Sequence, residues 1–599
     1  MKLKNIKIAA ALMLLGAATA CTDTWDDHYA EKVYGEGSLM QAISNDPNLS
    51  NFKEVLQATG YDAALDGSQV FTVFAPTNDK FTEADRDAVI AQYNQYKAQG
   101  IKDAKNLAIK EFIQNHIALY NYSLSKTAQD TAITMMNGKR VSLNASAFEG
   151  QSIVKSNVQT GNGVLFTIAG QAKYNPNIFE YLDKDADLDS VKNFIYKYNE
   201  DKFMAALSVP GEIIDGKIQY LDSVTVTKND LLSRFSNGLY AEINDEDSTY
   251  MFLAPTNEEW DKQLQRNKQM FVYDKQVAEK DSFEYLFPRM NIIRGSFFSA
   301  NENRNLMKQE AAMDSVIATT AYGYLFRQML YGSYDKRIYT YMRPFSSNGI
   351  FSGAQDITLS NGMVKKSSNW PIKRNQTFLY DIVMEGESSN TIDSLNLKST
   401  SNPRGNTSTP KYYSVASTNK FYNQVSGNGY LELTPSGTSN ITNALFDIRN
   451  VLSNVKYDVY VVMAPAEAGD TLASAAERVP AVFRVAFQCH GENGKEYYML
   501  KNGTFSTSYA VDDYPSSNAT KFIQIRNNCF VQNLSQRDGV SVDSVYVGRF
   551  TFPTCSYNVN DAQVKMLLEV ATTSTQVRNG THTKTFRLDC IVFKPVDQE

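Results

Sequence analysis

The chain has 599 residues, 43% of them hydrophobic and 21% charged, which excludes a mostly disordered, collagen-like or coiled-coil protein. Lysine and arginine number 59 against 65 acidic residues, a net charge of −6, so the basic footprint of a nucleic-acid binder is missing. Thirty-five tyrosines and 32 phenylalanines against 4 histidines point to a strand-rich body poor in imidazole chemistry.

The first element is an address. Lys2, Lys4 and Lys7 precede an apolar run from Ile8 to Ala20. The run is shorter than the ~20 residues a membrane span needs, and it fits a secretory signal over residues 1–20. It ends Ala18-Thr19-Ala20-Cys21, which resembles a bacterial lipobox, although leucine is commoner than Ala18 at its position. The resemblance implies cleavage before Cys21, lipidation of its thiol and a lipidated linker over residues 21–37. Palmitate-type chains would then tie the protein to the lipid bilayer at about 0.8 kcal/mol per buried methylene. The alternative is plain secretion with Cys21 incidental. Asp23, Asp26 and Asp27 resemble the surface-export signal of Bacteroidota lipoproteins, or serve as a solvated linker. The expected location is the outer membrane, lipid-anchored and exposed at the cell surface.

An internal repeat follows. Phe71-Thr72-Val73-Phe74-Ala75-Pro76-Thr77-Asn78-Asp79-Lys80-Phe81 returns as Tyr250-Met251-Phe252-Leu253-Ala254-Pro255-Thr256-Asn257-Glu258-Glu259-Trp260, the mark of a duplicated module. Proline ends a strand. Thr or Asn is expected to cap the next helix, and the aromatic to pack back on the core. Phe52, Val55 and Leu56 fall at helical spacing within Leu39–Gly60. Ile109, Phe112, Ile113, His116, Ile117 and Tyr120 make one predicted helical stripe. Asn137-Gly138 reads as a hairpin turn, and Gly161 to Ile168 as a turn into a strand. Ser360-Asn361-Gly362-Met363-Val364 is the expected counterpart in the second copy.

These motifs resemble the fasciclin domain. Ala75 to Asn78, Asn115-His116 and Asn162-Gly163-Val164 carry the resemblance in the first copy. In the second, Asn291-Ile292-Ile293-Arg294-Gly295 takes the Asn-His region without a histidine, so that copy is divergent. The resemblance implies α+β fasciclin domains over residues 38–184 and 185–386, with roles in adhesion or matrix contact and rarely catalysis.

Ser388 to Pro410 is rich in Ser, Thr, Asn, Gly and Pro, as a loop or linker would be. Beyond it, short strand-like runs such as Tyr457 to Val462, Val479 to Phe487 and Thr585 to Phe593 predict an all-β sandwich over residues 387–599. Val451 to Tyr460 and Leu588-Asp589-Cys590-Ile591 resemble a galactose-binding-like jelly roll, the fold of many carbohydrate-binding modules. The expected fold class is therefore α+β: two tandem fasciclin-like domains followed by a C-terminal all-β jelly-roll-like sandwich. Cys489, Cys529, Cys555 and Cys590 leave both free thiols and disulfides open. The absence of a C-x-x-C pair argues against zinc.

Catalytic constellations are missing from the sequence. His28, His116, His490 and His582 form no H-E-x-x-H, and no G-x-S-x-G occurs. His116 on its apolar stripe reads as a core residue. Asp183, Asp185, Asp187 and Asp189 alternate like a calcium loop, but Leu188 and Phe194 stand where glycine and glutamate belong. Helix capping by Asp187 or Asp189 is the expectation instead. Asp130-Thr131-Ala132, Asp222-Ser223-Val224, Asp314-Ser315-Val316 and Asp543-Ser544-Val545 resemble the O-glycosylation triplet of Bacteroidota exported proteins. Trp370, Tyr412, Tyr413, Phe421 and Tyr422 are candidates for sugar stacking, each weighed against ordinary core packing.

No catalytic, cofactor-binding or metal residue is assigned, and Cys21 is the one site residue, for lipidation. The expected function is non-catalytic binding or adhesion. Glycan capture beside a TonB-dependent importer is the first reading, by resemblance to the lipoproteins of starch-utilisation-type importers. A structural protein binding partner proteins through its fasciclin domains is the alternative.

Overall fold

The computed structural model describes residues 35–124, 130–203, 205, 209–214, 217–222, 225–233, 238–300, 316–325, 327–328, 335–395, 410–513 and 519–596. The signal segment, Cys21 and the acidic residues Asp23, Asp26 and Asp27 lie outside the described residues.

In the first unit, strand Phe71–Pro76 is buried along its whole length. It runs parallel to Gly163–Ile168, from Phe71↔Gly163 to Pro76↔Ile168, and antiparallel to Ile117–Ala118. Both faces are covered, which explains a run that is apolar except for Thr72, whose hydroxyl donates to the Tyr120 carbonyl. One face meets Phe52, Leu56, Phe81 and Phe112 from the helical layer. The other meets Phe148 and Phe166, with Phe74 stacked on Phe148 at 3.8 Å.

The second unit repeats this pairing. Strand Tyr250–Pro255 runs parallel to Gly362–Ser367, from Tyr250↔Gly362 to Pro255↔Ser367, and antiparallel to Phe297–Ser299. Gly163 and Gly362 open the two parallel strands at φ 153° and 140°. A Cβ on either would come within 2.0 Å of the Phe71 carbonyl oxygen or 1.8 Å of that of Tyr250, so only glycine fits. Ile178 and Leu182, ahead of residue 185, pack into this unit's core with Phe194, Phe252 and Trp260.

The motif asparagines have a different task from the expected capping. Asn78 Oδ1 accepts the Asn51 N–H at 3.1 Å, and its Nδ2 donates to the Pro47 carbonyl at 3.0 Å. Asn257 repeats this with the Ser190 N–H and the Ala186 carbonyl, both at 2.8 Å. Each asparagine ties the start of an upstream helix to the end of the central strand. Thr256 caps helix Asn257–Lys268 as expected. In the first unit the cap is Thr82, boxed with Asp85, while Thr77 bonds the Ala169 carbonyl.

Two further expectations are corrected. The stripe from Ile109 is helical only through Ile113; the chain then joins the sheet, where the His116 carbonyl accepts the Phe74 N–H. In the aspartate run the cap is Asp185, which accepts the Asp187 N–H at 3.1 Å. Neither Asp187 nor Asp189 takes that part, because a short 3₁₀ turn (Ala186–Leu188) intervenes before helix Asp189–Tyr196.

Beyond Tyr380 two sheets face each other across one apolar core, antiparallel except where Arg327–Gln328 of the second unit pairs parallel with Ile382–Glu385. The first contains strands Ile382–Glu385, Lys411–Ser414, Gly429–Leu433, Lys456–Met463, Asp543–Thr551 and Phe586–Pro595. The second contains Ile392–Leu395, Asn443–Ile448, Val482–His490, Glu496–Tyr498, Val531–Ser535 and Val564–Val570. Val459, Phe487, Leu568 and Phe593 meet between them. Helix Ala519–Cys529 packs Ile525 and Cys529 against the other side of the second sheet, on Leu445, Ala486 and Leu567. The four cysteines of this part are free and buried.

The same core takes in Met270, Phe271, Tyr273, Val277, Phe287 and Phe378 from the second unit. Tyr273 is fully buried and donates its hydroxyl to the Tyr557 carbonyl at 2.9 Å. A loop and a helix of the second unit thus complete the interior of the C-terminal sheets, beside that unit's own core around Phe252 and Trp260.

Candidate functional site

The histidine of the fasciclin-like motif is a sealed core residue. His116 is fully buried; its Nδ1 lies 2.8 Å from the Phe112 carbonyl, and its Nε2 accepts the Ala172 N–H at 3.0 Å. Neutral imidazole with the proton on Nδ1 satisfies both partners. Burial holds its pKa down at about 4, against the opposing pull of the Phe112 carbonyl. Such a ring neither acts as a base at a surface nor meets a ligand. In the second unit its place falls to Ser296, outside the Asn291 to Gly295 segment expected to match. The Ser296 carbonyl accepts the Leu253 N–H at 2.9 Å, as the His116 carbonyl accepts that of Phe74.

Between the two units lies a groove of about 510 Å³, lined by Asn115, Lys139, Arg140, Lys173, Asn175 and Ser360 among others. At its floor the Lys139 side chain is 3% exposed. Its Nζ reaches Glu180 at 2.7 Å, Glu246 at 2.5 Å and the Ser360 hydroxyl at 3.1 Å, all in the second unit. Burial alone would raise the Glu180 carboxyl, but Lys110 and Lys139 outweigh it and hold it at about 2. Arg140 pairs with Asp247 across the same boundary. This is a buried clamp that fixes two domains, since its cation is already consumed by two carboxylates.

A second cluster joins the two ends of the C-terminal part. Glu385 pairs in register with Cys590, and the donor atoms of Glu385, Asp589 and Cys590 lie within 4.8 Å of one another, all buried. Ser426 ties them: its hydroxyl donates to Glu385 at 2.9 Å and its N–H to Asp589 at 2.9 Å. Carboxylates of this kind are hard-cation ligands. Sequence reasoning assigned no metal ligand, and only the strand pairing brings these distant residues together. The Cys590 thiol is pushed up by burial and by Asp589; burial also raises Cys529 and Cys555 to about 12, so none is a ready thiolate.

The aromatics singled out in the sequence separate by exposure. Phe421 is core at 4% exposed. Tyr422 packs on the same cluster. Tyr413 stacks on Tyr430 at 5.1 Å, and Trp370 packs on the second unit. Tyr412 stays 42% exposed. Tyr546, which sequence reasoning passed over, is 48% exposed. Of the Asp-Ser/Thr triplets, Thr131 and Ser544 are exposed, while Ser223 and Ser315 lie outside the described residues.

Residues 47–170 match the family model described as Fasciclin domain, so the first unit carries the fasciclin fold. No curated protein matches the sequence. Among solved structures the chain is similar to a FAS1 domain pair from the insect cell adhesion molecule fasciclin I, with 13% identity and a TM-score of 0.19, covering 55% of this chain and 98% of that one. It is also similar to the enzymatically active domain of bacteriophage CBA120 tailspike protein 4, with 8% identity and a TM-score of 0.16, covering 41% of this chain and 27% of that one. A carbohydrate-binding module of the β-sandwich superfamily aligns with 8% identity and a TM-score of 0.11, over 50% of this chain and 89% of that one.

Proposed function

We propose that this protein is a non-catalytic binding and adhesion protein, tethered to the outer membrane through an acylated Cys21, whose C-terminal galactose-binding-like β-sandwich captures glycans for a TonB-dependent importer. The observation that carries the binding role is the fasciclin match over residues 47–170. The Lys139 clamp and the shared core support a rigid arm, on which a ligand-binding sandwich would be held at a set distance from the lipid. Exposed tyrosines on that part support a sugar ligand, because their faces stack on pyranose C–H groups while polar neighbours take the hydroxyls.

The full-length protein in mild detergent would be run by affinity electrophoresis through gels holding soluble polysaccharides. Retardation by at least one supports glycan capture. Free migration in all of them, together with pull-down of an outer-membrane or matrix protein, favours the reading in which fasciclin units bind partner proteins. Mass spectrometry of the native N-terminus tests the tether: a lipid-modified Cys21 supports it, and an unmodified thiol overturns it.

A further inference from the structure

Asp458 sits on the outer face of the first C-terminal sheet. In strand Lys456–Met463, buried Tyr457, Val459, Val461 and Met463 alternate with outward Asp458, Tyr460 and Val462. The neighbouring strand Asp543–Thr551 would, at an unbroken period of two, point Tyr546 and Arg549 to opposite faces. A bulge prevents this. Val459 pairs with Gly548 while Tyr460 pairs with Tyr546, leaving Val547 as the extra residue, with its side chain buried. Gly548 absorbs the change at φ 150°.

Tyr546 and Arg549 therefore emerge on one face, and both meet Asp458. The Tyr546 hydroxyl donates to Asp458 Oδ1 at 3.0 Å, and Arg549 donates to Oδ1 and Oδ2 at 2.8 and 2.9 Å. The Tyr460 ring lies 5.3 Å from that of Tyr546, inclined by 53°. Tyr546 is 48% exposed, and the Arg549 side chain 52%. A cross-strand tyrosine pair by itself is ordinary sheet packing. The bulge is more than that packing needs, and it is what sets an aromatic face beside a carboxylate and a guanidinium.

We propose that this corner is a subsite for one neutral pyranose unit of a glycan, whose C–H face stacks on Tyr546 and whose hydroxyls bond Asp458 and Arg549. The proposal rests on the glycan-capture reading and names its site. The carboxylate and guanidinium neutralise each other, and the hydroxyls of a sugar, which both donate and accept, match that paired set. The tyrosine is held by its hydroxyl before any ligand arrives, which lowers the ordering cost of binding. Lys456 and Lys594 are exposed beside it, Lys594 directly across from Asp458, so the aromatic face is bordered by charges rather than by further apolar surface.

The test is affinity electrophoresis of the full-length protein in mild detergent, with soluble starch, mannan and hydroxyethyl cellulose as neutral probes and polygalacturonate as an acidic one. Wild type should be retarded by a neutral polymer. Tyr546→Ala should bind that polymer about tenfold more weakly. Tyr546→Phe keeps the face and loses only the bond to Asp458, so it should stay within about threefold of wild type; it also serves as the folded comparison if the alanine variant melts early. Unchanged retardation of Tyr546→Ala overturns the subsite and leaves the glycan reading standing. Binding of polygalacturonate alone overturns the neutral assignment. No retardation of wild type by any polymer overturns the reading and the subsite together.

Discussion

Asn361 makes in the second unit the bonds that Asn162 makes in the first. Asn162 Oδ1 accepts the Leu39 N–H at 2.7 Å, and its Nδ2 donates to the Leu65 and Gly67 carbonyls at 2.8 and 2.7 Å. Asn361 Oδ1 accepts the Ile178 N–H at 2.9 Å, and its Nδ2 donates to the Ile243 and Asp245 carbonyls at 2.8 and 2.9 Å. One side chain thus ties the first helix of each unit, and a loop, to the turn that opens the parallel strand. Replacing either by alanine leaves three backbone groups without that partner. Each substitution should cost about 3 kcal/mol, read as a lower urea midpoint at unchanged slope.

His116 makes the first unit acid-sensitive. Its folded pKa is about 4 against an ordinary value of 6.5, so the unfolded chain binds the proton first. Stability from this group is fully present above pH 6.5, falls as the pH drops towards 4, and is then exhausted. The loss amounts to roughly 3 kcal/mol. Thermal melts from pH 7 to pH 4 should show it, and His116→Gln should flatten that part of the profile.

Tyr557 links the C-terminal sheets to the second unit. Its ring packs 5.6 Å from Phe271 and 4.9 Å from Phe287, and its hydroxyl accepts from Arg294 at 3.2 Å. Tyr557→Ala should cost about 3–5 kcal/mol. Trp260 and Trp370, both in the second unit, should report the loss by fluorescence although the substitution lies in the third part. An unmoved tryptophan transition would show that the two parts unfold separately.

Lys139 carries the junction of the first two units. Lys139→Met leaves Glu246 without its lysine and Glu180 with Lys110 alone, and should cost about 3 kcal/mol. Its readout is faster proteolysis between Ile168 and Ile178. The wild-type Glu180 carboxyl is depressed from 4.5 to about 2, so its contribution is present above pH 4.5 and disappears as the pH falls towards 2. In the variant that acid-dependent loss should shrink, since only Lys110 remains to hold the charge.

The repeat was readable because Ala-Pro-Thr-Asn is a local signal: proline ends a strand, and asparagine bonds to backbone close by in space. The run Tyr457 to Val462 likewise read as a strand, though the side taken by Tyr460 is visible only in the sheet. The rest depends on distance or on broken period. Ser296 replaces the fasciclin histidine by keeping only its backbone bond, which leaves nothing to match in sequence. Met270 to Val277 have no helical or strand period, because they are a loop whose apolar residues serve another part's core. Glu385 and Asp589 lie far apart in the chain, and only antiparallel pairing joins them. Tyr546 and Arg549 are three residues apart, a spacing that hides a common face until the bulge at Val547 is seen.

Prolonged incubation with the polysaccharide that retards the protein, followed by sizing of the recovered polymer, tests most directly the claim that this chain holds sugars without cutting them. Retardation with the polymer returned at its original length is the expected result. Shortened chains would make the protein an enzyme, contradicting the account.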